Sequence, residues 1–451
     1  MAQQLPNTVN VDELGDGPTP AAPEQSERSD TGQRRVPLRR SSSSLPWALI
    51  TFFPFALYCV RVVANRGHIY LLSDVAVLDM NMRRAADFHQ LLGAFSRFDL
   101  HHPGPVFVYL ASFVARVIGI SHGAQALLIT AALVSGLSLA ATVYVLGRMG
   151  GPSVAAVAAV GSLLVALLTT VQLEVDPWNP YTVALPLVLL GTLTLCTMRG
   201  SATAFAAMLV VGSYEVQTDY GTAICVVALT AAALAVLAAR HKLGGLVRGW
   251  KAPALLIVTG IMWVPPLVDQ LTSAHPNLSA IASFVLSHHP HAGLLGGASA
   301  TGWASTFALG ASNFELEFNR GLGITWLLLA AGGIGAVALI ARLLHQRMAA
   351  QLALVAVAAL GVAVVASSQI VGPPYTYLMA WAASAVGLGI VALSLIFAPV
   401  LARKSAIVMG AVVLALGGAT AKFSSVSSSG VGWTAPAMAR VWRALQQAEG
   451  K

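Results

Sequence analysis

Charge is what this sequence has least of. Only 10% of its 451 residues are Asp, Glu, Lys or Arg, against about 25% in an ordinary soluble chain. With 56% hydrophobic residues beside so little charge, the soluble class is excluded and an integral membrane protein is indicated. Cysteine is scarce as well. Cys59, Cys196 and Cys225 lie within or at the edge of apolar runs, in no motif and with no plausible disulfide, so they carry no redox signal. No internal repeat is present, nor the paired broken helices that mark many secondary transporters. The net charge of +8 could point to nucleic acid, yet its charges are scattered between apolar runs. They report topology, and no nucleic-acid partner is expected.

What is there begins with a polar tail. Residues 1–45, rich in Pro and Ser and without apolar periodicity, are expected to be disordered. The tail ends in Arg34, Arg35, Arg39 and Arg40, directly before PWALITFFPFALYCV. That order resembles a signal peptide, but the long tail and the lack of an A-x-A-like site favour a retained anchor with a cytoplasmic N-terminus. Because a helix needs about 20 apolar residues to cross the hydrocarbon, eleven crossings are predicted: 46–64, 124–147, 152–171, 181–197, 202–217, 221–239, 252–268, 322–341, 350–369, 377–400 and 405–421. The fold class is therefore all-α, multi-pass, in the plasma membrane. Inner loops then hold Arg148, Arg199, Arg240, Lys242, Arg248, Lys251, Arg342, Arg347, Arg403 and Lys404, as the positive-inside rule asks, and no acid.

Six of the 18 acids lie in the tail, and the rest fall on the outer side. Acids weigh little in the topology rule, so this segregation reads better as function. VFVYLASFVARVIG (106–119) is too short to cross, at about 14 residues or ~21 Å of helix. With Tyr109, Ser112 and Arg116 on one face, it reads as a helix lying in the outer interface. The membrane region 46–425 thus carries two large outer elements, 65–123 and 269–321. An amphipathic helix over 426–451 is expected to rest on the outer side.

Within SDVAVLDM (73–80), Asp74 and Asp79 lie about 140° apart on a helix, so they are no acid/base pair of the glycosidase kind. Asp79 has Arg83 at i+4 in the favourable order for an ion pair, leaving Arg84 the freer cation. Asp74 either caps the helix that Ser73 opens or serves as a general base. Arg97, His101 and His102 precede the 106–119 helix, where a cation and a helix N-terminus favour an anion. LEVDPWNPY places Glu174 and Asp176 two apart, and a divalent cation on them with help from Asp74 stays open. Gln217 and Asp219 end the 202–217 helix. HHPH (288–291) reads as a mobile polar tract rather than a metal site, and Asn277-Leu278-Ser279 matches a glycosylation sequon.

The stretches FSRFDLHHPGPVFVYL, DPWNPYTVALP, VQTDYG and WVPPLVDQLTSAHPNL, with a tail, a first helix, an acid-bearing outer loop and an in-plane helix, resemble the C-type (GT-C) membrane glycosyltransferases, and more narrowly a subgroup of actinobacterial membrane proteins. The proline motif differs from the family form at Gly104 and in having His102 before Pro103. The family's adjacent acidic pair is absent. The resemblance implies an inverting transfer of one sugar, arabinose or mannose, from a polyprenyl-phosphate donor to an envelope glycan, lipid or protein at the outer face, in contact with membrane lipid and without a cofactor. It implies Asp74 as the base, Arg97, His102 and Arg320 near the lipid phosphate, and Asp79, Arg84, His101, Asp176, Gln217 and Asp219 as further substrate-binding residues. A transporter or flippase of lipid-linked glycans, and a non-catalytic envelope-assembly protein, are the alternatives.

Overall fold

A computed structural model describes residues 44–64, 69, 71, 73–119, 123–246, 251–310, 319–401 and 405–425. All but the last two residues of the expected tail, and the whole of 426–451, lie outside them. The chain runs through α1 (Leu45–Ala64), α2 (Ser73–Ala86), α3 (Val106–Ile118), α4 (Gly123–Gly150), α5 (Pro152–Leu168) and two single turns, α6 (Gln172–Val175) and α7 (Asn179–Thr182). It continues with α8 (Ala184–Met198), α9 (Ala202–Thr218), α10 (Ala223–Ala239), α11 (Lys251–Met262), α12 (Val264–Thr272), α13 (Asn277–Leu286) and α14 (Gly293–Ser305). It ends with α15 (Arg320–Leu343), α16 (Arg347–Ser368), α17 (Ala383–Ile396), α18 (Ala398–Leu401) and α19 (Ser405–Ser425). Among the described residues there is no strand, only two isolated bridges, Phe95 with His101 and His291 with Val371.

Eight helical stretches are long and apolar enough to cross a membrane: 45–64, 123–150, 179–198, 220–239, 252–272, 320–343, 347–368 and 376–396. This is an all-α, membrane-embedded protein. The other three predicted crossings fall on α5, α9 and α19, whose apolar stretches are shorter.

Local sequence sets the helix ends. Pro152 opens α5 after Gly151, whose φ of 87° suits a residue without Cβ. Ser201 caps α9 by accepting from the Ala204 N–H at 3.2 Å, and Asn319 caps α15 by accepting from Leu322 N–H at 3.1 Å. Small residues let the long helices approach closely. Gly136 of α4 lies on the Phe55 ring of α1, and Gly302 of α14 meets the Gly323 carbonyl of α15 with no room for a Cβ.

The two ends of the bundle differ in charge. At one end Arg199 donates to Gln351 Oε1, with Nε at 3.2 Å, and Arg240 donates to the Met198 carbonyl at 3.1 Å. At the other, Lys422 of α19 meets Glu174 at 2.7 Å beside the turn that carries Asp176. The shared face of α3 covers the end of α2. Tyr109 donates to the Gln90 carbonyl at 3.0 Å, Arg116 donates to the Ala86 carbonyl, and Ser112 is buried.

Candidate active site

At the acidic end lies a cavity of about 580 Å³. Its polar lining includes Asp74, Ser96, Arg97, His102, Asn179, Asp219, His289, His291 and Gln369, and its aromatic lining includes Phe95, Phe98, Trp178, Tyr220, Phe284 and Tyr377. Such a wall, mixing flat rings with a few directed polar groups, is the usual character of a small-molecule site.

Asp74 stands in the first turn of α2 and is exposed to the cavity. Its Oδ2 accepts from the Trp178 indole N–H at 2.9 Å, and its Oδ1 accepts from the Ser73 hydroxyl at 3.3 Å. Neither donor is a backbone N–H of α2, so the carboxylate is turned away from the capping role open in the sequence. Ser73 has φ +52°, in the left-handed region that a side-chain-bearing residue enters at a cost.

His102 is buried, with 7% of its surface exposed. Its Nδ1 accepts the Tyr220 backbone N–H at 3.1 Å and lies 3.7 Å from Asp219 Oδ1, beyond hydrogen-bond range. Burial pulls its pKa below the ordinary value, opposed by the nearby Asp219 carboxylate. A neutral ring with a lone pair at Nδ1 carries its proton at Nε2. The Asn179 carboxamide lies with Nδ2 2.9 Å from Nε2, and to accept that proton the amide turns so that its oxygen takes this place. The cation expected at position 102 is thus a neutral imidazole, because a backbone donor already occupies the nitrogen that would take the second proton. Asp219 Oδ1 instead accepts from the Gly221 N–H at 2.9 Å.

Arg97 is the expected cation that does reach the cavity. Its Nη2 donates to the Val371 carbonyl at 2.6 Å, with Nη1 at 3.5 Å from that of Pro373. The guanidinium lies over the Phe98 ring, 4.8 Å from the centroid, and near Tyr375. It thereby ties the loop before α3 to the 371–375 segment.

Asp74, Arg97, His102 and Asp219 are brought together, and the other expected residues stand off the lining. Asp79 pairs with Arg83 at 3.0 Å, and Arg84 is exposed at the end of α2. The main chain of His101 is bonded by Asn277, which accepts from its N–H at 3.0 Å and donates to its carbonyl at 3.1 Å. That buries the asparagine of the sequon. Gln217 is fully buried, its Nε2 on the Met262 carbonyl at 3.0 Å and its side chain against Gly104. Arg320 is exposed at the start of α15.

Glu174 and Asp176 each have a separate partner. Burial pushes the Glu174 carboxyl up, and its ion pair with Lys422 opposes this. Asp176 Oδ1 accepts from the Trp178 N–H at 3.0 Å, and burial pushes its carboxyl up to about 7. Among the described residues no cluster of three His, Cys, Asp or Glu has metal-binding geometry. The HHPH tract is seated: His289 stacks on Phe284 at 4.5 Å, and His291 Nδ1 lies 3.0 Å from the Gln369 carbonyl. A second cavity of about 290 Å³, walled by Leu309, Trp326, Leu329, Val386 and Leu393, has no titratable group.

Sequence reasoning missed Trp178 as a partner of Asp74, and Asn179 and Tyr377 as cavity residues. The signal for the first two was local: a donor-rich pair, Trp-Asn, fixed between Pro177 and Pro180 beside an acid. The site belongs to an all-α, membrane-embedded protein with an acid-lined, aromatic cavity at one end. No protein-family model matches the sequence, and comparison with curated proteins finds no match.

Proposed function

We propose that this protein is an inverting glycosyltransferase of the GT-C type, which moves a sugar from a polyprenyl-phosphate donor to a cell-envelope acceptor. The reading includes eleven membrane crossings, α3 in the interface, and the cavity end facing the extracytoplasmic side. Supporting the crossings, α5, α9 and α19 each continue the alternation between the arginine-bearing and the acid-bearing end. The observation that carries the reaction is Asp74, a carboxylate exposed to the cavity and held by an indole N–H at 2.9 Å. As general base it takes the proton of the acceptor hydroxyl while that oxygen attacks the anomeric carbon. The lipid phosphate leaves with the bonding electrons, so no strong acid is needed, and Arg97 is the cation in position to stabilise it. The Asn179 carboxamide and the Asp219 carboxylate supply hydrogen bonds to sugar hydroxyls. The acceptor is an envelope glycan, lipid or protein.

The test uses purified protein in lipid nanodiscs with radiolabelled polyprenyl-phosphate mannose and polyprenyl-phosphate arabinose. Asp74→Asn is expected to lower transfer by about 10²–10⁴-fold. Undiminished transfer would remove Asp74 as base. No transfer by the wild type with either donor would favour a second reading, a transporter or flippase of lipid-linked glycans. One observation supports that alternative. Glu215 of α9 is fully buried, with no hydrogen-bond partner described for either carboxyl oxygen, and a carboxyl within a membrane bundle often serves proton coupling. Loss of lipid-linked glycan flipping in liposomes on Glu215→Gln would select it.

A further inference from the structure

We propose that the turn Asp176–Asn179 is the positioning element of the cavity, with Trp178 holding Asp74 and Asn179 holding His102. This rests on the glycosyl-transfer reading only for what Asp74 does once it is held.

The turn is fixed from below and from the sides. Asp176, 1% exposed, anchors the main chain by accepting from the Trp178 N–H at 3.0 Å. Pro177 and Pro180 restrict φ at both ends. The Trp178 ring is clamped edge-on by Tyr181, centroids 5.3 Å apart at 81°, and on another side by Tyr377 at 4.7 Å. An indole so enclosed points its N–H in one direction. That direction meets Asp74 Oδ2 at 2.9 Å. A carboxylate rotates almost freely about its terminal torsion, so a rigid donor on Oδ2 restricts that rotation, with the longer Ser73 hydroxyl contact at 3.3 Å on Oδ1 as the second restraint.

One residue further along the same turn, Asn179 lies 2.9 Å from His102 Nε2, while Tyr220 N–H binds His102 Nδ1 at 3.1 Å. Both ring nitrogens are thereby engaged. A single short turn thus orients side chains that reach the cavity from two separate segments, α2 and the loop before α3. Support of this kind decides whether a reactive group sits within the narrow range of productive geometry.

A purely structural role for Trp178 predicts lost packing but no particular link to Asp74, and the experiment separates the two. The full chain is labelled with ¹⁵N at its indoles, reconstituted in nanodiscs and observed by NMR. The Trp178 Nε1–H resonance is assigned through Trp178→Phe or, where that variant does not fold, Trp178→Tyr. Asp74→Asn is expected to displace this resonance and to leave that of Trp263, whose Nε1–H donates to Ser213 Oγ at 3.0 Å, in place. A Trp178 resonance unmoved by Asp74→Asn overturns the proposal, whether or not any sugar is transferred. The second arm uses polyprenyl-phosphate mannose as probe. Trp178→Phe is expected to lower kcat about 10-fold with KM within about 2-fold. In the Asp74→Asn background it is expected to cost nothing further, because one residue acts through the other. Additive losses overturn the proposal, whereas absence of transfer by the wild type counts against the functional reading alone and leaves the spectroscopic arm to decide.

Discussion

Replacing Lys422 by methionine would strand a carboxyl in the interior. Lys422 Nζ lies 2.7 Å from Glu174 Oε2 and 2.7 Å from the Ala166 carbonyl, and it also donates to the Thr169 carbonyl, so it closes the C-terminal end of α5 as well as pairing with an acid. Glu174 is fully buried, with 0% of its side chain exposed. Removing one member of a buried pair costs about 3–5 kcal/mol, because the other is left as an unpaired charge unless it is neutralised. Burial already raises the Glu174 carboxyl, and Lys422 is what opposes that shift. Without the lysine, the folded protein binds the Glu174 proton more tightly than the unfolded chain does. Stability is then fully present below the ordinary carboxylate range and falls as pH rises above it. Glu174 stands at about 8 even beside the lysine, so the deficit of Lys422→Met against wild type is small from pH 5 to about 8 and grows above it, where the wild type ionises Glu174 and the variant does not. Adding Glu174→Gln removes the titrating group and returns most of the loss at high pH. The assay is the thermal midpoint in nanodiscs from pH 5 to above 8, for the two single variants and the double. A Lys422→Met deficit that does not change with pH, or single effects that add, would refute the reasoning.

Two further perturbations bear on parts of the molecule already described. Asp176 is held up to about 7 by burial, opposed by the Trp178 N–H, so it too withdraws stability as pH rises, from its ordinary range through about 7. Asp176→Asn, which keeps an acceptor for that N–H, should come nearest to wild type below about pH 4 and exceed it increasingly in thermal midpoint as pH rises to about 7. Gly302→Ala drives a methyl into the Gly323 carbonyl of α15 and should cost about 1–3 kcal/mol by overpacking. A thermal midpoint within error of wild type would show that α14 and α15 can part without loss.

Much of this was written in local sequence. The long apolar runs of α1, α4, α15 and α16 are long enough to cross a membrane by their own length. Asp79 and Arg83 meet because four residues span one helical turn. Asp74, Arg97, His102 and Asp219 could be picked out as polar residues at the ends of apolar segments, and they share one cavity. What could not be read are partners chosen by packing between helices. Trp178 and Asp74 are 104 positions apart, and Lys422 and Glu174 are 248 apart. No period or spacing links such pairs. Gln217 looked like a cavity residue because it is polar near a helix end, but its rotation about α9 turns it onto Gly104 and the Met262 carbonyl. The single turns α6 and α7, four residues each, are too short to leave a periodic signal.

The wall of the cavity formed by residues 366–379 has a consequence for how the protein is made. Asp74 and Arg97 leave the ribosome early, whereas Val371, Pro373 and Tyr377, which bind the guanidinium or line the site, follow only after most of the chain. At about 5–20 residues per second, the wait is on the order of tens of seconds. Of its contacts in the folded protein, those the 73–103 segment could make in that interval are with α3 and α4, where Val75, Leu78 and Met82 share a core with Phe107, Ala111 and Leu127. The support for Asp74 and Arg97 is thus divided by time of synthesis: one side of the site is built from early helices and the facing wall from residues made much later.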